Sequence, residues 1–171
     1  VLEDEINLSI ATKVYEMLID LGARTLISRV DDYDLSDVYA KNHKIQDLKK
    51  RIAYMKENQA DLFVSIHLNS FSNSDVSGAQ VFYKKNVPSS EEFALVMQQT
   101  FNSINKKEKK PKVGDYYLLN NSGDLNGVMV ECGFLSNTEE RNQLITDAYQ
   151  EKIASLIKDG ILAYLEAKNR I

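Results

Sequence analysis

Residues 128–137 run Val128-Met129-Val130-Glu131-Cys132-Gly133-Phe134-Leu135-Ser136-Asn137. This stretch places one carboxylate, that of Glu131, inside an apolar segment with the length and composition of a buried strand. An ionised carboxylate is very unfavourable to bury alone, so such a Glu is usually paired, bound to a metal or functional. The stretch therefore predicts a buried strand and a candidate site on it.

A second apolar segment also carries one polar group near its end. Residues 62–69 run Leu62-Phe63-Val64-Ser65-Ile66-His67-Leu68-Asn69. In an open parallel sheet, functional groups gather at the carboxyl ends of the strands. The two segments together predict a site at one edge of such a sheet.

The rest of the chain alternates between helical and strand patterns. Helices are predicted at 4–21, 45–58, 88–104, from 137 onward for a short stretch, and from 147 to near the end. Strands are predicted at 24–28, 61–67, 79–83, 116–119 and 128–132. Loops are predicted at 31–42, 71–77 and 106–112.

This alternation predicts one α/β domain over residues 1–171, with a mostly parallel twisted sheet and helices on both faces. Such a domain commonly opens on a strand, whereas this chain opens almost at once on a helix. It also begins with Val1 instead of Met. We therefore expect a fragment that lacks the first strand of its sheet.

Composition narrows the class of protein. Of 171 residues, 43% are hydrophobic and 27% are charged, which is typical of a globular domain. The net charge of -4 disfavours nucleic-acid binding, which needs a positive face. A single cysteine excludes an internal disulfide, and neither a transmembrane segment nor a signal peptide is found in the sequence.

Each candidate site residue has a structural alternative. His67 shares a strand face with Ser65 and Asn69, and it is either a hydrogen-bonded core histidine or a metal ligand. Glu131 is either a functional carboxylate or half of a buried ion pair with Arg or Lys. Glu3 precedes the first helix, where acidic residues are favoured electrostatically, and nothing in its spacing alone makes it a ligand.

Other reactive residues are assigned structural roles. Cys132 points away from Glu131 and is predicted to be a small core residue. His43 lies in a polar loop and is predicted to be solvated. The lysines of 106–112 predict a solvated loop, with attraction of an anionic polymer as the alternative.

Zinc-assisted hydrolysis uses the residue types found here, which are a His and a Glu on neighbouring strands and a Glu at a helix start. Catalytic zinc takes three protein ligands and keeps an open position for water, and a further carboxylate can accept the proton of that water. The residues supply two convincing ligands, so the third has to come from elsewhere.

Three motifs resemble a known family in order and spacing: Glu3-Asp4-Glu5-Ile6-Asn7-Leu8, Ser65-Ile66-His67-Leu68-Asn69 and Val130-Glu131-Cys132-Gly133-Phe134-Leu135-Ser136-Asn137. They resemble the motifs of zinc-dependent N-acetylmuramoyl-L-alanine amidases of the amidase-3 type, and the likeness covers nearly the whole chain. Details such as Cys132 and the long connection over 31–50 resemble the germination-specific spore-cortex amidases.

The resemblance implies a role for each matching residue. Glu3 and His67 match two zinc ligands, and Glu131 matches the general base. The family's remaining ligand is a His in a Gly-rich segment after the first strand, which we expect upstream of Val1. One Zn²⁺ ion is therefore the expected cofactor, with its occupancy dependent on that residue.

The resemblance also implies the reaction, which is hydrolysis of the amide between N-acetylmuramic acid and L-alanine of the peptidoglycan stem peptide. The expected setting is spore-cortex maturation, with muramic-lactam formation, or wall remodelling. That setting implies export to the cell wall or spore intermembrane space, and an activating protein partner is a further expectation. The alternatives are a non-catalytic peptidoglycan-binding or interaction module and a zinc peptidase that cuts within the stem peptide.

Overall fold

The computed structural model describes residues 3–31, 33–169 and 171. In chain order, the helices and strands of these residues are α1 (Glu3–Asp20), α2 (His43–Glu57), β1 (Leu62–Asn69), β2 (Gln80–Tyr83), α3 (Pro88–Asn102), β3 (Lys112–Val113), α4 (Tyr117–Asn121), β4 (Asn126–Phe134), α5 (Thr138–Leu144) and α6 (Asp147–Ala167). No helix within the described ranges is both long enough and apolar enough to cross a membrane.

The described strands form one sheet in the order β1-β4-β2-β3. The pairs β1·β4 and β2·β3 are parallel, while β2·β4 is antiparallel. The predicted α/β class with a mostly parallel sheet is confirmed, and the one antiparallel pair makes the sheet mixed. Because β1 and β4 run in the same direction, their carboxyl ends meet at the same edge.

Strand β4 is buried on both faces and supplies both hydrophobic cores. Val128, Val130 and Cys132 pack into the larger core, which is formed with α1, α3 and α6. Met129 lies between Val128 and Val130, so its side chain points to the opposite face of the sheet. There it packs into a smaller core that includes side chains of α2 and α4. Helices therefore cover both faces of the sheet, as predicted, and Glu131 lies on the face of the smaller core.

Helix α3 connects β2 to the lysine-rich segment through the amide side chains of Gln98, which is buried, and Asn102, which is partly buried. Gln98 accepts a hydrogen bond from the Val81 amide at 2.8 Å and donates one to the Ala79 carbonyl at 3.2 Å. Asn102 exchanges bonds with the backbone of Lys109 on the other side, at 2.9 and 3.0 Å. These hydrogen bonds anchor the segment 106–112 on α3. Lys109 is partly buried, while the other lysines of the segment are exposed, as predicted for a solvated loop.

Two predicted strands are wrong. Residues 24–28 pair with no other described strand, and they are exposed or only partly buried. A strand needs a neighbour for its backbone hydrogen bonds, and no described strand supplies one. The missing first strand of the sheet stays a prediction.

The predicted strand at 116–119 is instead the beginning of the short helix α4. Leu118 and Leu119 both face the smaller core. A helical turn brings adjacent leucines to that core more readily than a strand does, because a strand points successive side chains to opposite faces.

Candidate active site

The parallel pairing of β1 and β4 places the two predicted polar groups side by side. His67 and Glu131 are direct register partners in this pair. Register partners project their side chains from the same face of a sheet, so both groups stand on the face of the smaller core, near the carboxyl ends of their strands. The two apolar segments of the sequence therefore meet as predicted.

Glu3 joins this pair from the first turn of α1. Its Oε1 lies 3.2 Å from Nδ1 of His67 and accepts a hydrogen bond from the Leu68 amide at 3.2 Å. Asn7, one turn further along the helix, donates to the same oxygen at 3.1 Å. The hydrogen bond with His67 is the main reason that the pKa of Glu3 falls from 4.5 to about 2, so this carboxylate is ionised at neutral pH.

Glu131 has a different environment. Glu131 is only 6% exposed, and burial is the main cause of the raised pKa of its carboxyl group. The negative charge of Glu3 raises that pKa further, while His67 and the Tyr116 hydroxyl act in the opposite direction. The two carboxylates therefore differ in basicity, because the pKa of Glu3 is lowered and the pKa of Glu131 is raised.

The two oxygens of Glu131 are not equivalent. The Tyr116 hydroxyl lies 3.5 Å from Oε1. Oε2 is buried and has no hydrogen-bond partner among the described residues. No Arg or Lys in the described part of the chain pairs with Glu131. The described residues therefore do not form the buried ion pair that was the structural alternative for Glu131.

The donor atoms suit a zinc ion in part. An imidazole and a carboxylate in contact, each about two-fifths exposed, are ligand types that zinc accepts. Within the described ranges, no group of three His, Cys, Asp or Glu residues could hold a metal. The described residues therefore offer two donor groups of ligand type, whereas a catalytic zinc needs three.

The remaining predicted candidates lie outside this cluster. His43 begins α2, and its Nδ1 lies 2.6 Å from the Ser36 hydroxyl in an exposed network. Cys132 is buried in the larger core on the opposite face, where burial raises the pKa of its thiol. Lys106 forms an exposed ion pair with Glu139 at 2.6 Å. None of these side chains contacts Glu3, His67 or Glu131.

The sequence patterns do not reveal the roles of Tyr116, which contacts Glu131, and of Glu140, which contacts the end of β4. The predicted strand at 116–119 includes Tyr116 but gives no reason to place its side chain beside Glu131. Glu140 follows Asn137 by three residues, a spacing typical of a helix cap, and that signal pointed only to a helix start. In the structure, Glu140 accepts hydrogen bonds from the amides of Gly78 and Phe134, both at 2.8 Å.

Glu140 therefore joins the segment before β2 to the end of β4, and its loss should be measurable. We expect Glu140→Gln to lower the free energy of unfolding by about 2 kcal/mol, because an amide cannot accept both bonds and would face a backbone donor with its own NH₂ group. Chemical denaturation measures the change. Glu139→Gln is the matched control, since its ion pair with Lys106 is exposed and should contribute little to stability. Equal effects of the two substitutions would contradict this role.

The fold and the site together define a class of protein. The sheet holds one imidazole and one carboxylate near the carboxyl ends of adjacent strands, and helix α1 adds a second carboxylate of lower basicity. These are the groups of a hydrolase that activates water.

The chain belongs to the amidase-3 family, N-acetylmuramoyl-L-alanine amidase, whose profile matches residues 1–163. Members of this family are amidases that act on peptidoglycan and are generally zinc-dependent. The chain is 34% identical to the germination-specific N-acetylmuramoyl-L-alanine amidase of Bacillus subtilis, over 98% of this chain and 72% of that protein. The predicted family and enzyme class are confirmed.

Solved structures give the same result. The CwlD amidase from Clostridioides difficile, in complex with the GerS lipoprotein, superposes with a TM-score of 0.88 and 36% identity, covering 96% of this chain and 87% of that one. The catalytic domain of CwlV from Bacillus (Paenibacillus) polymyxa gives a TM-score of 0.82 and 29% identity, covering 96% and 85%. The likeness to these two amidases extends over nearly all of this chain.

Proposed function

We propose that Glu131 is the general base of this amidase and that Glu3 and His67 are two of its zinc ligands. The proposed reaction is hydrolysis of the amide between N-acetylmuramic acid and L-alanine of the stem peptide. The observation that supports it most is the register pairing of His67 with Glu131, with the Glu3 carboxylate on the same imidazole. Three separate segments of the chain converge there.

The chain's own groups account for the proton transfers. The carboxylate of Glu131, which pairs with no Arg or Lys among the described residues, accepts a proton from the attacking water. Burial raises the pKa of Glu131, which makes the carboxylate a better base near neutral pH. The same carboxyl group then donates that proton to the nitrogen of the departing L-alanine, so the base is regenerated.

Zinc, when bound, would polarise the scissile carbonyl and lower the pKa of a water molecule to about 7. The ionised Glu3 and the half-exposed His67 would hold it, and their contact already orients them toward each other. The third ligand is a His that the family resemblance predicts upstream of Val1.

We further infer a role in the cell wall or spore cortex, outside the cytoplasmic membrane. The name of the Bacillus subtilis relative supports germination as the setting. The complex of the Clostridioides difficile amidase with a lipoprotein supports a protein partner for this chain as well.

Metal content tests the assignment of ligands and base. The full protein should contain about one zinc ion per chain by atomic absorption, and removal of zinc by a chelator should abolish release of stem peptides from peptidoglycan. His67→Ala should lose both zinc and activity. Glu131→Gln should lose activity and keep zinc, because the base is outside the ligand set.

The alternative function, a non-catalytic wall-binding module, predicts a different result. Its support is that fewer than three ligands cluster among the described residues. A full protein that binds peptidoglycan, contains no zinc and releases no peptide would establish this alternative and contradict the enzyme.

A further inference from the structure

Tyr116 is the one side chain of the described residues whose hydrogen bond reaches Glu131. Its hydroxyl lies 3.5 Å from Oε1, at the outer limit of a hydrogen bond. Hydrogen bonds of catalytic groups are often long before substrate binds and shorten in the reacting complex. The Tyr116 hydroxyl therefore donates to the carboxylate that we propose as the general base, and this contact can shorten when substrate binds.

The Tyr116 ring is held in place from two sides. It packs edge-to-face on Phe82 of β2, with 5.3 Å between the ring centroids. A Cβ on Gly114 would lie 2.7 Å from Cδ2 of Tyr116 and 2.9 Å from Cβ of Phe82, so the backbone at this position runs directly against both side chains. The Gly114 amide also donates to the Tyr83 carbonyl at 2.9 Å, which fixes this backbone to β2.

The register of the sheet explains why the hydroxyl reaches the base. Phe82 pairs with Met129, and Met129 is two residues before Glu131 on the same face of β4. A ring that packs on Phe82 can therefore extend along that face toward Glu131. Burial and the negative charge of Glu131 both raise the pKa of Tyr116, so the phenol keeps its proton and remains a donor.

We propose that Tyr116 is a positioning residue for the general base, an inference that rests on the proposed function of Glu131. Its hydroxyl donates to Oε1 and thereby fixes the rotation of the carboxylate. The fixed rotation sets the direction from which the carboxylate accepts the proton of the attacking water. Tyr116 itself touches neither the metal ligands nor the transferred proton.

Removal of the single hydroxyl tests this role. Tyr116→Phe in the zinc-loaded full protein should lower kcat on peptidoglycan by about tenfold, as expected for loss of a hydrogen bond to a charged group. KM should stay within about twofold of the wild-type value, because orientation of the base affects the chemical step and not substrate binding. The melting temperature should hardly change, since the ring and its contact with Phe82 are kept.

Tyr117→Phe is the matched control. Tyr117 is the adjacent tyrosine and packs at the border of the same core, so the substitution removes a hydroxyl from a neighbouring ring. We expect its kcat and KM to equal those of the wild type. A Tyr116→Phe variant with unchanged kcat, or with a raised KM and unchanged kcat, would overturn the inference.

Crystal structures of the wild type and of Tyr116→Phe provide a readout that does not depend on activity. We expect the carboxylate of Glu131 to rotate, or to become disordered, when the hydroxyl is absent. An unchanged carboxylate would overturn the positioning role. A wild type that releases no stem peptide would contradict the proposed function instead, and the two structures would still decide the inference.

Discussion

Glu131→Gln should lower kcat/KM for peptidoglycan by about 10³-fold, within the range that general acid–base catalysis contributes. The substitution keeps the volume of the side chain and leaves an oxygen for the Tyr116 hydroxyl, so the site keeps its shape. It removes the ability of the Glu131 side chain to accept and return a proton, which is its proposed role. Release of stem peptides, followed over time by chromatography, measures the loss.

The stability of Glu131→Gln separates a catalytic role from a structural one. The buried carboxylate has a raised pKa, which means that the fold disfavours its ionised form at neutral pH. A neutral amide avoids this, so the variant should melt at or above the temperature of the wild type at pH 7. Substantial residual activity, or a clear loss of stability with a parallel loss of activity, would contradict the role of the general base.

Gly127→Ala should lower the free energy of unfolding by about 3 kcal/mol, at the upper end of the usual effect of overpacking. Gly127 is the register partner of Phe63 across β1 and β4, and the Phe63 ring lies directly against it. A Cβ at this position would overlap three atoms of the ring. Because Phe63 is buried in the smaller core, its ring has little room to move away. Urea denaturation measures the change.

A double-mutant cycle with Phe63→Leu tests the stated cause. Leu is not planar and extends less far, so Gly127→Ala should destabilise the Phe63→Leu background by at least about 1 kcal/mol less than it destabilises the wild type. If the two substitutions are simply additive, contact with the ring is not the reason for the glycine. Since β1 and β4 carry His67 and Glu131, Gly127→Ala should also lower activity.

The central pair of the site could be predicted from sequence because it depends on simple geometry. Each of two apolar segments carried one polar group near its end, and parallel strands bring such ends together. His67 and Glu131 accordingly lie in register on one face. Glu3 could not be derived in this way, since an acidic residue in the first turn of a helix is unremarkable, and its place beside His67 depends on how α1 packs on the sheet.

The errors have a common physical origin in tertiary contacts. The pattern over 116–119 is short and apolar, and only the position of the smaller core decides that Leu118 and Leu119 lie on a helix. Residues 24–28 have strand-like composition, yet a strand exists only where a neighbour receives its hydrogen bonds. Tyr116 belongs to the site because of its packing on Phe82, which no local pattern in the sequence reveals.

Mass spectrometry of the products that the zinc-loaded full protein releases from purified peptidoglycan identifies the bond that is cut and its dependence on Glu131. We expect intact stem peptides with a free amino-terminal L-alanine and glycan strands whose N-acetylmuramic acid has lost its peptide, with both absent for Glu131→Gln. Peptides cut between residues of the stem, or identical products from Glu131→Gln, would contradict this expectation.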